Sequence, residues 1–158
     1  MKLNIGISDK NCSEVVKILN SLLSDEYVLY TKTRNFHWNV TGPNFSELHK
    51  FFQAQYEELD GIVDEVAERA RSLGGTSFGS LAEFLKHTKL KESAGKLSGA
   101  KSMLGSLITD HEAVIQKLRH DLEECAQKHD DMGTSDFLTG LMEQHEKMAW
   151  MLRSLGSK

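Results

Sequence analysis

Pro43 is the only proline among 158 residues, and that scarcity limits the fold more than any other feature. Sheets and sandwiches need frequent turns, which Gly, Pro, Asn and Asp supply. Here such residues collect in three places: Thr41-Gly42-Pro43-Asn44, the segment from Gly74 to Gly99, and Asp130 to Thr134. Between the breaks the apolar residues recur at steps of three and four, the spacing of one helix face. The first stripe is Val15, Leu19, Leu22, Leu23, Tyr30, and the second Phe52, Tyr56, Leu59, Val63, Val66, Ala70, Leu73. The third runs Leu104, Leu107, His111, Val114, Leu118, Leu122, Cys125, and the fourth Leu138, Leu141, His145, Met148, Leu152, Leu155.

Local signals refine the boundaries. Asn44 with Glu47 predicts a capping box opening the second helix, and Gly74-Gly75 predicts its end. Ser80 with Glu83, followed by Phe84 and Leu85, predicts a short helix inside the long connection. Four long helices with one long central crossover make an all-α, ferritin-like four-helix bundle, with a short extra helix in the crossover. One domain is expected over 1–158, with residues 1–10 as a short N-terminal tail.

Composition removes several classes. Hydrophobic residues at 39% and charged residues at 27% fit neither a disordered nor a membrane chain. No apolar run approaches the roughly 20 residues that span a bilayer. No apolar leader follows Met1-Lys2, so an unprocessed, cytoplasmic protein is expected, with nucleoid association left open. Cys12 and Cys125 are too few for a disulfide framework and lack metal-binding spacing, which fits a reducing compartment. The net charge of −4 argues against a surface devoted to nucleic acid.

The densest chemical constellation is His37-Trp38, His49, Asp64 and Glu68. Asp64 and Glu68 are one helical turn apart and share a face. Two imidazoles and two carboxylates suit Fe(II), with Zn, Mn or Co able to substitute. Yet His49 and Asp64 sit 15 residues apart on one predicted helix, about 22 Å of rise. No metal site spans that distance. If the four residues share a site, the two pairs come from different subunits, most simply across a twofold interface. The alternative is bland: Asp64 and Glu68 lie among Glu57, Glu58, Asp60 and Glu65, and such runs usually form a solvated face. His49 could equally be a satisfied histidine near a helix start. None of the glutamates has a histidine three residues later, which argues against a Glu-x-x-His di-iron centre inside the bundle.

Asn35-Phe36-His37-Trp38-Asn39-Val40-Thr41-Gly42 with Leu48-His49 resembles the first signature of the Dps family, the miniferritins that protect DNA during starvation. Val63-Asp64-Glu65-Val66-Ala67-Glu68-Arg69, closing at Leu73-Gly74, resembles the second. The resemblance implies a hollow shell of twelve identical subunits with non-haem iron, one or two ions per site, shared across twofold interfaces. His37 and His49 would come from one chain, and Asp64 and Glu68 from its neighbour. Glu68 would bridge two irons, and Trp38 would pack nearby or donate electrons. Such shells oxidise Fe(II), preferably with hydrogen peroxide, and store ferric mineral, so ferroxidase activity and protection of the cell and its DNA are expected. Two departures stand out: Gln53 replaces the usual acid four residues after the second histidine, and Ser77 replaces proline or alanine. A neutral amide at Gln53 should weaken the second metal position.

Asp130, Asp131 and Asp136 suit a turn and a helix start. By resemblance, Asp131 and Asp136 are candidates for a negative pore that draws in Fe(II). His111 and His145 interrupt apolar stripes and are expected to be buried and hydrogen-bonded, with no carboxylate at ligand spacing; His87, His120 and His129 are expected to be exposed. The tail carries Lys2, Lys10 and Asp9, and the crossover Lys86, Lys89, Lys91 and Lys96. DNA-coating relatives often use a lysine-rich tail, because phosphate contacts supply most non-specific affinity. Weak or no DNA binding at physiological salt is therefore expected. A nucleoid protein with little ferroxidase activity is the competing reading.

Overall fold

The computed structural model describes residues 3–95 and 99–156, so Lys2, Lys96 and Lys158 lie outside it. Five helices and no strands are found among the described residues: α1 (Asp9–Asn39), α2 (Phe45–Ser72), α3 (Leu81–His87), α4 (Ala100–His129) and α5 (Met132–Gly156). The four long helices and the short crossover helix fall where the apolar stripes place them. None is long and apolar enough to cross a membrane.

Each boundary has a local cause. Ser8 caps α1 by accepting from the Asn11 amide at 3.1 Å. Ser80 and Glu83 form the reciprocal capping box expected for α3. The box expected at Asn44 is absent: Asn44 occupies the cap position of α2, but its side chain makes no capping hydrogen bond. Gly74, at φ 80°, ends α2 in the left-handed conformation that glycine adopts without steric cost. At Gly75 an added Cβ would lie 2.4 Å from Val16 Cγ1, so only glycine lets the crossover leave against α1. Asp130, at φ 56°, reverses the chain between α4 and α5.

α1 pairs along α2 and α4 along α5, and the two hairpins close over one core. Leu19, Leu22, Phe52, Leu59, Leu107, Leu118, Leu138 and Leu141 are all buried there. The crossover then rests on α1, with Phe84 stacked on Tyr27 at 4.3 Å between centroids. Ser77 does structural work, donating its hydroxyl to the Ala67 carbonyl at 2.6 Å. Cys12 and Cys125 are buried free thiols, and burial pushes the Cys125 thiol up to about 12, with Asp131, Asp121 and Glu124 adding to the shift.

Candidate metal centre

α1 ends at Asn39 and α2 starts at Phe45, so the short Gly-Pro turn folds the end of one helix over the start of the next. His37 and His49 meet there with ring centroids 3.8 Å apart. Their contacts are reciprocal: His37 Nδ1 lies 2.7 Å from the His49 carbonyl oxygen, and His49 Nδ1 lies 2.8 Å from that of His37. A carbonyl can only accept, so each Nδ1 carries the hydrogen and donates. In the neutral rings each Nε2 then keeps a lone pair, the tautomer that a metal ligand requires. His37 is 7% exposed. Tyr56 meets its ring edge-on at 5.2 Å, and Phe45 stacks on His49 at 5.1 Å. Two aromatic walls thus hold the imidazole pair.

Asp64 and Glu68 are exposed on the distal half of the same α2, and their carboxylates have no hydrogen-bond or ion-pair partner among the described residues. Because α2 is unbroken from Phe45 to Ser72, His49 and Asp64 stay about 22 Å apart. One chain therefore presents a nitrogen pair and an oxygen pair, and brings neither to the other. Gln53 is exposed one turn beyond His49, its amide donating to Glu57 Oε1 at 2.8 Å. Trp38 is 64% exposed beneath the Arg34 guanidinium, which also lies over Tyr56. Tyr56, Phe45 and Arg34 carry no motif and were not legible as site residues, although Tyr56 belonged to the apolar stripe.

The two pore candidates divide. Asp136 is exposed. Asp131 is buried: its Oδ1 accepts from the Thr134 amide at 2.8 Å, its Oδ2 accepts from the Thr134 hydroxyl, and Arg69 donates to it at 3.1 Å. A carboxylate committed to opening α5 and pairing Arg69 cannot line a channel, so the pore expectation passes to Asp136 alone. Asp131→Ala is expected to cost about 1–3 kcal/mol through the lost cap and the stranded Arg69, read as a lower melting temperature in calorimetry. The histidines also differ from expectation. His87 and His129 are half-buried, His87 against Phe78 at 4.6 Å, and only His120 is exposed. His120 groups with Asp121 and Glu124, but Lys117 and Lys128 already pair those carboxylates.

Comparison with known proteins agrees with this fold. The family model of the ferritin-like domain matches residues 16–158. A low temperature-induced protein of Nostoc sp. is 45% identical, covering 97% of this chain and 86% of the relative. A DNA protection during starvation protein of Bacillus anthracis is 38% identical, covering 89% and 95%. The crystal structure of a Dps protein from Vibrio cholerae, described as one of the ferritin-like diiron-carboxylate proteins, superposes with a TM-score of 0.90 at 31% identity, covering 98% and 97%. Helix order, the two signature segments and these matches make the chain a member of the Dps family of miniferritins, with the ferritin-like fold.

Proposed function

We propose that the protein is a ferroxidase and iron store: a shell of twelve copies that oxidises Fe(II) with hydrogen peroxide and keeps the ferric product inside. The observation that carries this reading is the locked His37–His49 pair, with both Nε2 lone pairs free, on a chain whose carboxylate pair sits about 22 Å away. Each half-site lacks what the other has, and a twofold partner supplies it. Membership of a family that includes a diiron-carboxylate Dps supports iron as the substrate. Exposed Trp38, Trp150 and Met132 support burial of protomer surface in an assembly.

In this arrangement His37, His49 and Asp64 hold Fe(II), and Glu68 reaches across to a second ion. Gln53 offers a carbonyl oxygen where an acid would add charge, so the second position is the weaker one. Asp136 lies on the route of cation entry. Two Fe(II) give one electron each, and one peroxide takes both as its O–O bond breaks; two protons complete two waters. Consuming peroxide in pairs of electrons avoids the one-electron route to hydroxyl radical. That protects DNA chemically, in line with the name of the Bacillus relative. Zn, Mn or Co could occupy the same donors. A cytoplasmic location accompanies this role. The exposed Lys86, Lys89 and Lys91 make one small basic patch per subunit, which predicts little DNA retention at physiological salt.

The test is stoichiometric. Anaerobic shells given Fe(II) and then hydrogen peroxide should consume two Fe(II) per peroxide, with a radical trap silent. One Fe(II) per peroxide with a strong radical signal would contradict the reading.

A further inference from the structure

The middle of the bundle is not wholly apolar. Glu26 of α1, His111 of α4 and His145 of α5 project inward, and none has any exposed surface. The carboxylate that sequence spacing did not offer these histidines is Glu26, reached through the fold. His111 Nδ1 and His145 Nδ1 lie 2.9 Å apart. His145 Nε2 lies 2.9 Å from Glu26 Oε1, yet the two atoms are out of line for a hydrogen bond. Both Glu26 oxygens and the Nε2 atoms of both histidines are buried without a hydrogen-bond partner. Buried polar groups are almost always satisfied, so such a concentration of orphans marks a missing ligand. Lys32, the buried lysine of α1, is already committed to Asp110.

The geometry suits a metal ion. Two donors 2.9 Å apart can both reach one ion at about 2.1 Å, subtending about 90° at it, an angle that adjacent ligands of a metal ion adopt. Flanking a common ion also explains why the Nε2 axis misses the oxygen. His111 Nδ1, 2.9 Å away, can accept the Nδ1 hydrogen of His145, which leaves the His145 Nε2 lone pair for a metal and fixes the ring.

We propose that Glu26 and His145, oriented by His111, bind one divalent cation such as Fe(II) or Mn(II) inside each protomer. This site lies within one chain and is separate from the interface centre. It uses one carboxylate and imidazoles on three helices rather than Glu-x-x-His pairs.

Mn(II) is the probe. Shells carrying His37→Ala with Asp64→Ala, which removes the interface centre, are equilibrated anaerobically with Mn(II), gel-filtered, and assayed for metal per subunit by mass spectrometry. About one Mn(II) per subunit is expected, together with a Mn(II)-dependent rise in melting temperature. Adding Glu26→Gln, or His145→Phe as a second variant, should abolish both while shell size is unchanged. Absence of Mn(II) from the interface-null shells, or retention after Glu26→Gln, as binding at the exposed His120 cluster would give, overturns the proposal. Wild-type shells that hold no more Mn(II) than interface-null shells would instead count against the interface centre, and the core site would stand.

Discussion

Shells built only from His37→Ala chains, or only from Asp64→Ala chains, should lose at least about tenfold in peroxide-driven Fe(II) oxidation, since each removes a direct metal ligand. Shells refolded from an equal mixture of the two should recover about a quarter of the wild-type rate, because an intact site needs unmutated histidines on one chain and unmutated carboxylates on its neighbour. The statistics depend on the locations of the residues. His37 and His49 are fixed against each other by reciprocal backbone contacts at 2.7 and 2.8 Å, so they travel together. Asp64 and Glu68 are tied to the far half of an unbroken helix. If all four ligands belonged to one chain, no mixed shell would contain an intact site, and mixing would restore nothing. Stopped-flow absorbance of the ferric product on size-checked shells reads the difference directly.

The largest loss of stability is expected from Lys32→Ala. Lys32 Nζ and Asp110 Oδ2 are 2.5 Å apart and buried between α1 and α4. Removing the lysine leaves a carboxylate without its counter-charge, which costs about 3–5 kcal/mol when a buried pair is broken. Replacing both partners, as Lys32→Met with Asp110→Leu, should cost far less, because no charge is stranded. The pH dependence has a definite sign. Burial already raises the Asp110 carboxyl above its ordinary value, and Lys32 is the main influence lowering it. Without Lys32 its folded-state value rises further above the unfolded one. A raised folded value gives stability that is present at low pH and lost as pH rises through it. The melting deficit of Lys32→Ala relative to wild type should therefore shrink as pH falls. A deficit that is constant with pH, or a double variant as unstable as the single one, would contradict this account.

Much of this architecture was legible in the sequence because it depends on local periodicity. Stripes such as Leu104, Leu107, Val114, Leu118 bury one face whatever the neighbours are, and Ser80 with Glu83 closes its box within one turn. The separation of His49 from Asp64 was legible for a similar reason: a helix rises by a fixed amount per residue, so the distance follows from counting. What depends on distant parts of the chain was not legible. Asn44 has a good capping side chain, yet it makes no cap bond at the turn that packs His37 on His49. Asp131 and Asp136 look alike as acids near a helix start. Only the left-handed turn at Asp130 and the arrival of Arg69 from α2 bury one and leave the other in solvent. Glu26 carried a usable signal, since it falls on the buried stripe three residues after Leu23, but its partner His145 comes from the last helix. Tyr56 and Phe45 became walls of the imidazole pair only through the fold.

The most direct measurement of the shared centre is an anomalous-scattering map of crystals of the assembled shell soaked anaerobically in Fe(II), recorded on both sides of the iron edge. Iron density is predicted between His37 and His49 of one protomer and Asp64 and Glu68 of its twofold partner, with one strong position and a weaker one beside Gln53. Iron bound to either pair alone, with no contribution from a second chain, would contradict the shared centre.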